Sequence, residues 1–116
     1  MNKICTDIEQ SKKLIELGID VDTADMCHRY RWSNNSFMHL PCAEKAREPR
    51  GSITGDIPAW SLSALLELMP TFTLNGYGNG QFNCRDERAD NYSLVDTCPL
   101  DAAFEMVAWL KENNKL

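Results

Sequence analysis

The amino-acid sequence predicts an α+β fold: an antiparallel sheet made from two hairpin groups, packed against three helices in the order α-β-β-α-β-β-β-α. Three observations carry this. Apolar residues recur at helical spacing in three stretches, at both ends and in the middle of the chain. Between those stretches the period falls to two, and the strand-like runs are joined by short turns rich in Asn, Gly and Ser. Strands grouped as hairpins, and not alternating singly with helices, pair antiparallel. With 116 residues the chain has the length of a single domain, 1–116, and can bury a core without metal or disulfide staples.

The first helix is expected over Thr6 to Leu17. Thr6 followed by Glu9 has the form of a capping box, Ile8, Ser11, Leu14 and Ile15 recur at helical spacing, and Gly18 stands where a left-handed stop is wanted. After Asp20, Asp22 and Asp25 the pattern alternates. Met26, His28, Tyr30 and Trp32 share one face, while Cys27, Arg29 and Arg31 share the other. Ser33-Asn34-Asn35-Ser36 is turn chemistry, and Phe37 to Leu40 returns as a second strand. The face with Tyr30 and Trp32 is expected to meet the core and the arginines to meet water. Residues 41–56 lack periodicity and are expected to form a long loop.

Ser61 is the natural cap of a second helix, Leu62 to Met69, with Trp60 stapled onto Leu65 and Pro70 as the stop. Thr71 to Leu74 and Gln81 to Arg85 alternate around the glycine-rich turn Asn75 to Gly80, and Tyr92 to Val95 adds a short third strand. The last helix opens at Pro99, with Cys98 or Thr97 as its cap and Asp101 in its first turn. From Leu100 to Leu110 it is apolar around most of its circumference. Such a helix lies between layers or against a partner.

Seventeen acidic residues against twelve basic ones give a net charge of −5, which disfavours general binding to nucleic acid or to an anionic membrane. The charge is uneven. Between Arg29 and Arg50 five cations face two carboxylates, a local +3 that leaves −8 elsewhere. An anionic partner would land there, on Arg29, Arg31, Arg47 and Arg50, with Tyr30, Trp32 and Phe37 as stacking rings. The alternation that sets the arginines opposite the aromatics weakens their joint use.

The five cysteines, Cys5, Cys27, Cys42, Cys84 and Cys98, are odd in number, widely spaced and contain no C-x-x-C pair. With no apolar leader and no apolar run near the ~20 residues of a membrane span, they are expected to be reduced thiols of a cytoplasmic chain. On that reading the N-x-S sequons at Asn34 and Asn91 are chance matches.

The candidate metal ligands are Cys27, His39 and Cys42, with His28 beside them. A hairpin would bring residues near 27 and near 40 together, but Cys27 and His28 are adjacent on a strand and must face opposite ways. A small metal- or thiol-dependent hydrolase would use the same thiols with His28 or His39 as base and Asp25 to orient it. Cys98, at a helix start, has a dipole in its favour but no histidine near it in sequence. Gly76 to Gly80 lies between strands and so suits a hairpin better than a phosphate loop. The sequence therefore implies no cofactor and no catalytic set.

Three segments together, Ile4 to Leu14, Ile57 to Pro70 and Pro99 to Lys115, resemble a family of small uncharacterised proteins of gut bacteria that is associated with prophage and other mobile elements. The resemblance covers roughly a third of the chain and no activity or site comes with it. It implies that the helices are the constant scaffold and that residues 29–56 and 75–91 vary. It favours a phage-related regulatory or protein-interaction domain over a metabolic enzyme. The expectation is accordingly a non-enzymatic interaction domain that forms a homodimer or meets another protein.

Overall fold

The computed structural model of the chain describes residues 3–33, 35–47, 55–69, 71–89 and 92–116. The elements are α1 (Ile8–Glu16), a 3₁₀ turn (Val21–Thr23), β1 (Met26–Ser33), β2 (Ser36–Cys42), β3 (Ile57–Ala59), α2 (Leu62–Glu67), β4 (Phe72–Gly76), β5 (Phe82–Asp86), β6 (Ser93–Val95) and α3 (Pro99–Glu112). The α+β class and the hairpin grouping are as the sequence predicts. Two features differ: a sixth strand, β3, makes the order α-β-β-β-α-β-β-β-α, and the strands form two three-stranded antiparallel sheets, β2-β1-β3 and β4-β5-β6.

The helix ends follow from local chemistry. The capping box of α1 belongs to Asp7 and Gln10, one residue later than expected. The Gln10 amide donates to Asp7 Oδ1 at 2.7 Å, and the Asp7 amide donates to Gln10 Oε1 at 3.0 Å. Thr6 is fully buried and used in a tertiary contact instead. Its amide donates to the Trp60 carbonyl at 2.8 Å, and its hydroxyl accepts from the Trp60 amide at 3.1 Å and bonds the Ser11 hydroxyl at 2.8 Å. At the other end Gly18 takes φ +92°. Its amide donates to Ile15 O and that of Ile19 to Leu14 O, both at 3.0 Å, which satisfies the carbonyls of the last turn. Ser61 caps α2 as expected, accepting from the Ala64 amide at 3.2 Å. Its own amide donates to Asp25 Oδ1 at 2.9 Å, tying α2 to the start of β1.

β3 was hidden because three residues with a central proline, just before a helix cap, have no pattern of their own. What makes them a strand is β1, where Met26, Cys27 and His28 pair with Ala59, Pro58 and Ile57. Pro58 on β3 and Pro41 on β2 are both tolerated because these are edge strands.

The main core surrounds α3. Leu100, Ala102, Ala103, Phe104, Met106, Val107, Ala108 and Leu110 are all buried. On one side α3 meets the inner face of sheet β4-β5-β6, with Leu74, Phe82, Cys84 and Val95. On the other it meets Leu14 of α1 and Trp60, Ala64 and Leu65 around α2. Its apolar circumference is thus covered within the chain. A second, small core of Cys5, Met26 and Ala59 fastens sheet β2-β1-β3 to the amino-terminal segment. Beyond it the β1–β2 hairpin runs on, in a molecule of 44 × 32 × 17 Å with a radius of gyration of 14.5 Å. A compact chain of this length would have about 13 Å. Among the described residues, no helix is long and apolar enough to cross a membrane.

Candidate interaction surface

Ser33 and Ser36 pair across the hairpin turn, where Asn35 takes φ +63°, a conformation that asparagine accepts more readily than most residues. From there the register sets Trp32 against Phe37, Arg31 against Met38, Tyr30 against His39, Arg29 against Leu40 and Cys27 against Cys42. Two-residue alternation puts Met26, His28, Tyr30 and Trp32 on one face, as expected. Near the core that face is covered: His28 lies against the amino-terminal segment, its Nε2 2.7 Å from Thr6 O and 3.8 Å from Cys5 Sγ. Further out the cover ends. The expectation that Tyr30 and Trp32 meet the core is corrected: Trp32 is 61% exposed, its partner Phe37 58% and Tyr30 37%, while Met38, 41% exposed, lies on the other face beside Arg31. The rings pack on one another instead. Tyr30 stacks on Phe37 with centroids 5.3 Å apart, Trp32 meets Phe37 edge-on at 5.0 Å, and His39 tilts against Tyr30 at 5.2 Å.

The opposite face carries ions. Arg29, expected in water, is buried and donates to both oxygens of Asp56 at 3.1–3.3 Å and to Glu44 at 2.8 Å. Arg47 reaches the same Asp56 with its amide at 2.8 Å and its guanidinium at 3.1 Å. Burial of Asp56 opposes its charge, but the bonds from Arg47 and Arg29 outweigh this and hold its carboxyl far below the ordinary range. Asp56 lies just outside the stretch counted as basic, and including it lowers the local excess to +2. Arg31 is exposed, with a guanidinium nitrogen 3.7 Å from Cys42 Sγ. Of the four arginines read as an anion site, two therefore converge on one carboxylate, Arg31 lies apart, and Arg50 is outside the described residues.

The metal candidates do not converge. Cys27 and Cys42 are register partners, but His39 lies on the aromatic face, its Nε2 3.2 Å from Gly55 O, and His28 faces Cys5. Among the described residues no three His, Cys, Asp or Glu side chains are placed to hold a metal ion. Burial, with Asp25 next, pushes the Cys5 thiol up to about 11, and burial, with Asp56 next, does the same for Cys27. Cys98 caps α3 without a side-chain hydrogen bond and is buried. Surface hollows lie elsewhere. One of about 230 Å³ runs along α3 between Tyr92 and Trp109, and one of about 320 Å³ lies between Asp25 and Glu67; neither is lined by a histidine or cysteine.

Sequence reasoning missed Asp56 and the outward turn of the rings. The signal for Asp56 was its place directly before an apolar run, Ile57 to Trp60, which marks a buried element beginning there. No family model matches the chain, and no curated protein or solved structure matches it.

Proposed function

We propose that this chain is a non-enzymatic protein-interaction domain that self-associates through the β1–β2 hairpin, two copies pairing β2 against β2 in antiparallel fashion. The observation that carries this reading is an exposed ladder of rings beside an uncharged strand that, among the described residues, ends its sheet. β2 reads SFMHLPC, seven residues without a single Lys, Arg, Asp or Glu, and its residues from Ser36 to Met38 are exposed. Sheet edges are ordinarily guarded by charges, prolines or bulges, and here only Pro41, near the inner end, does so. Antiparallel addition of a second β2 extends the sheet to β3-β1-β2-β2-β1-β3. Its twofold axis stands perpendicular to the sheet, so both sets of rings fall on the same side and form one apolar band.

Sedimentation across a wide concentration series tests the reading. A monomer–dimer equilibrium is expected for the wild type, and Phe37→Asp and Met38→Lys shift it to monomer while the circular dichroism spectrum of the folded chain is unchanged. A monomer at every concentration rejects the proposal.

The exposure of Tyr30, Trp32 and Phe37 favours one second reading, a stacking platform for single-stranded nucleic acid with Arg31 at its margin. Against it stand the net charge and the commitment of Arg29 and Arg47 to Asp56. Absence of any mobility shift with an oligonucleotide at low salt eliminates it.

A further inference from the structure

We infer that Cys27 and Cys42 form a hydroperoxide-responsive dithiol site, closing to an intramolecular disulfide at the root of the β1–β2 hairpin. The two residues are direct register partners on paired antiparallel strands, so their side chains leave the sheet on the same face. Directly opposed Cα atoms in such a ladder are about 4.5–5.5 Å apart, inside the roughly 4.4–6.8 Å that a disulfide spans, so closure needs no rearrangement of the strands. The other thiols are placed differently. Cys5 sits on the opposite face of β1 against His28, while Cys84 and Cys98 lie in the main core around α3.

The two sulfurs have unequal environments that suit unequal roles. Cys42 is half-buried, on an edge strand, with the Arg31 guanidinium 3.7 Å from its sulfur, so it is the thiol that solvent and a small oxidant reach. Cys27 is fully buried beneath it. Burial and the nearby Asp56 carboxylate raise its thiol to about 11, which keeps it protonated and unreactive until an electrophilic sulfur stands opposite.

The chemistry balances with hydrogen peroxide as the oxidant. The Cys42 thiolate attacks one peroxide oxygen, the O–O bond breaks, and the departing hydroxide takes a proton to become water, leaving Cys42 as a sulfenic acid. The Cys27 sulfur then attacks the Cys42 sulfur, the S–S bond forms and the S–OH bond breaks. The hydroxyl leaves as water with the Cys27 proton. Two thiols and one peroxide become one disulfide and two waters.

This site stands independently of self-association, and the test keeps the two apart. The reduced protein is treated with a small excess of hydrogen peroxide and digested without reduction. The expected product is a single cross-link between the peptides of Cys27 and Cys42, on a protein that runs as a monomer in non-reducing gels and is restored by dithiothreitol. The Cys42 thiol is consumed about tenfold or more faster than those of Cys84 and Cys98, in line with its exposure. Cys42→Ala, a change at a half-buried edge position, abolishes the cross-link while leaving the fold intact by circular dichroism. Cross-linking between two chains, scrambled pairs or equal oxidation of all five thiols overturns the proposal.

Discussion

The region around α3 and the outer half of the β1–β2 hairpin have similar raw material and opposite fates. Both have runs of large apolar side chains at regular spacing. Around α3, sheet β4-β5-β6 covers one side and α1 and α2 the other, so Val107 and Leu110 are completely buried. On the hairpin the amino-terminal segment covers Met26 and His28 and then stops, leaving Trp32 and Phe37 more than half exposed. Periodicity decides which residues share a face. Whether that face is core or surface depends on whether another layer reaches it.

Several substitutions can break or sharpen this contrast. The largest effect is expected in the covered region. Trp60→Ala, fully buried and hydrogen-bonded through its Nε1 to Thr23 Oγ1 at 2.9 Å, should cost about 3–5 kcal/mol in urea unfolding. Trp32→Ala should cost under about 1 kcal/mol, since most of the ring is already in water. Equal costs for the two tryptophans would erase the distinction.

Acid reaches both regions through carboxyls held low. Asp101, at the start of α3, is opposed by burial but accepts from Thr97, Gln10 and Lys3, and its pKa falls to about 2; Asp56 lies lower still. Both are depressed in the folded state, so their stabilisation is fully present above the unfolded value of about 4 and is lost as pH falls below it. Wild-type stability should therefore decline steadily from about pH 4 towards pH 2. Asp56→Asn should be less stable at neutral pH and show a flatter decline over that window. An unchanged slope would mean that the ionic cluster contributes nothing to the hairpin root.

A smaller loss, about 1 kcal/mol, is expected for Gly18→Ala. The added Cβ would meet only Lys111 Cε at 3.6 Å, an ordinary contact, so the cost is that of the left-handed backbone alone. Gly18→Asn should recover part of it. Phe37→Asp should be smallest of all in the unfolding assay, within about 0.5 kcal/mol. A clear loss of stability there would show the ring ladder to be structural.

Much of this architecture was legible because it rests on local rules. The Ser61 cap, the Trp60 position before it, the Gly18 stop, the Pro99 start of α3 and both hairpins each announce themselves within a few residues. The α1 cap was misread by one residue because Thr6 and Asp7 are both good caps. The choice fell to Trp60, fifty-four positions away, which engages Thr6 from just past the end of β3. Asp56 was invisible as a site residue for the same reason. Its role comes from Arg29 and Arg47, brought to it by the pairing of β1 with β3 and by the loop returning from β2.

The chain's own order of residues thus determined its class, its three helices and its hairpins, since these follow from spacing, caps and turns; that β2 runs on to set Cys42 against Cys27 came from the structure. Only the packed molecule decided that the strands split into two sheets, that Arg29 is buried, and that the rings of Tyr30, Trp32 and Phe37 turn to water. Those outcomes depend on which distant segment arrives to cover a surface, and no local pattern records that.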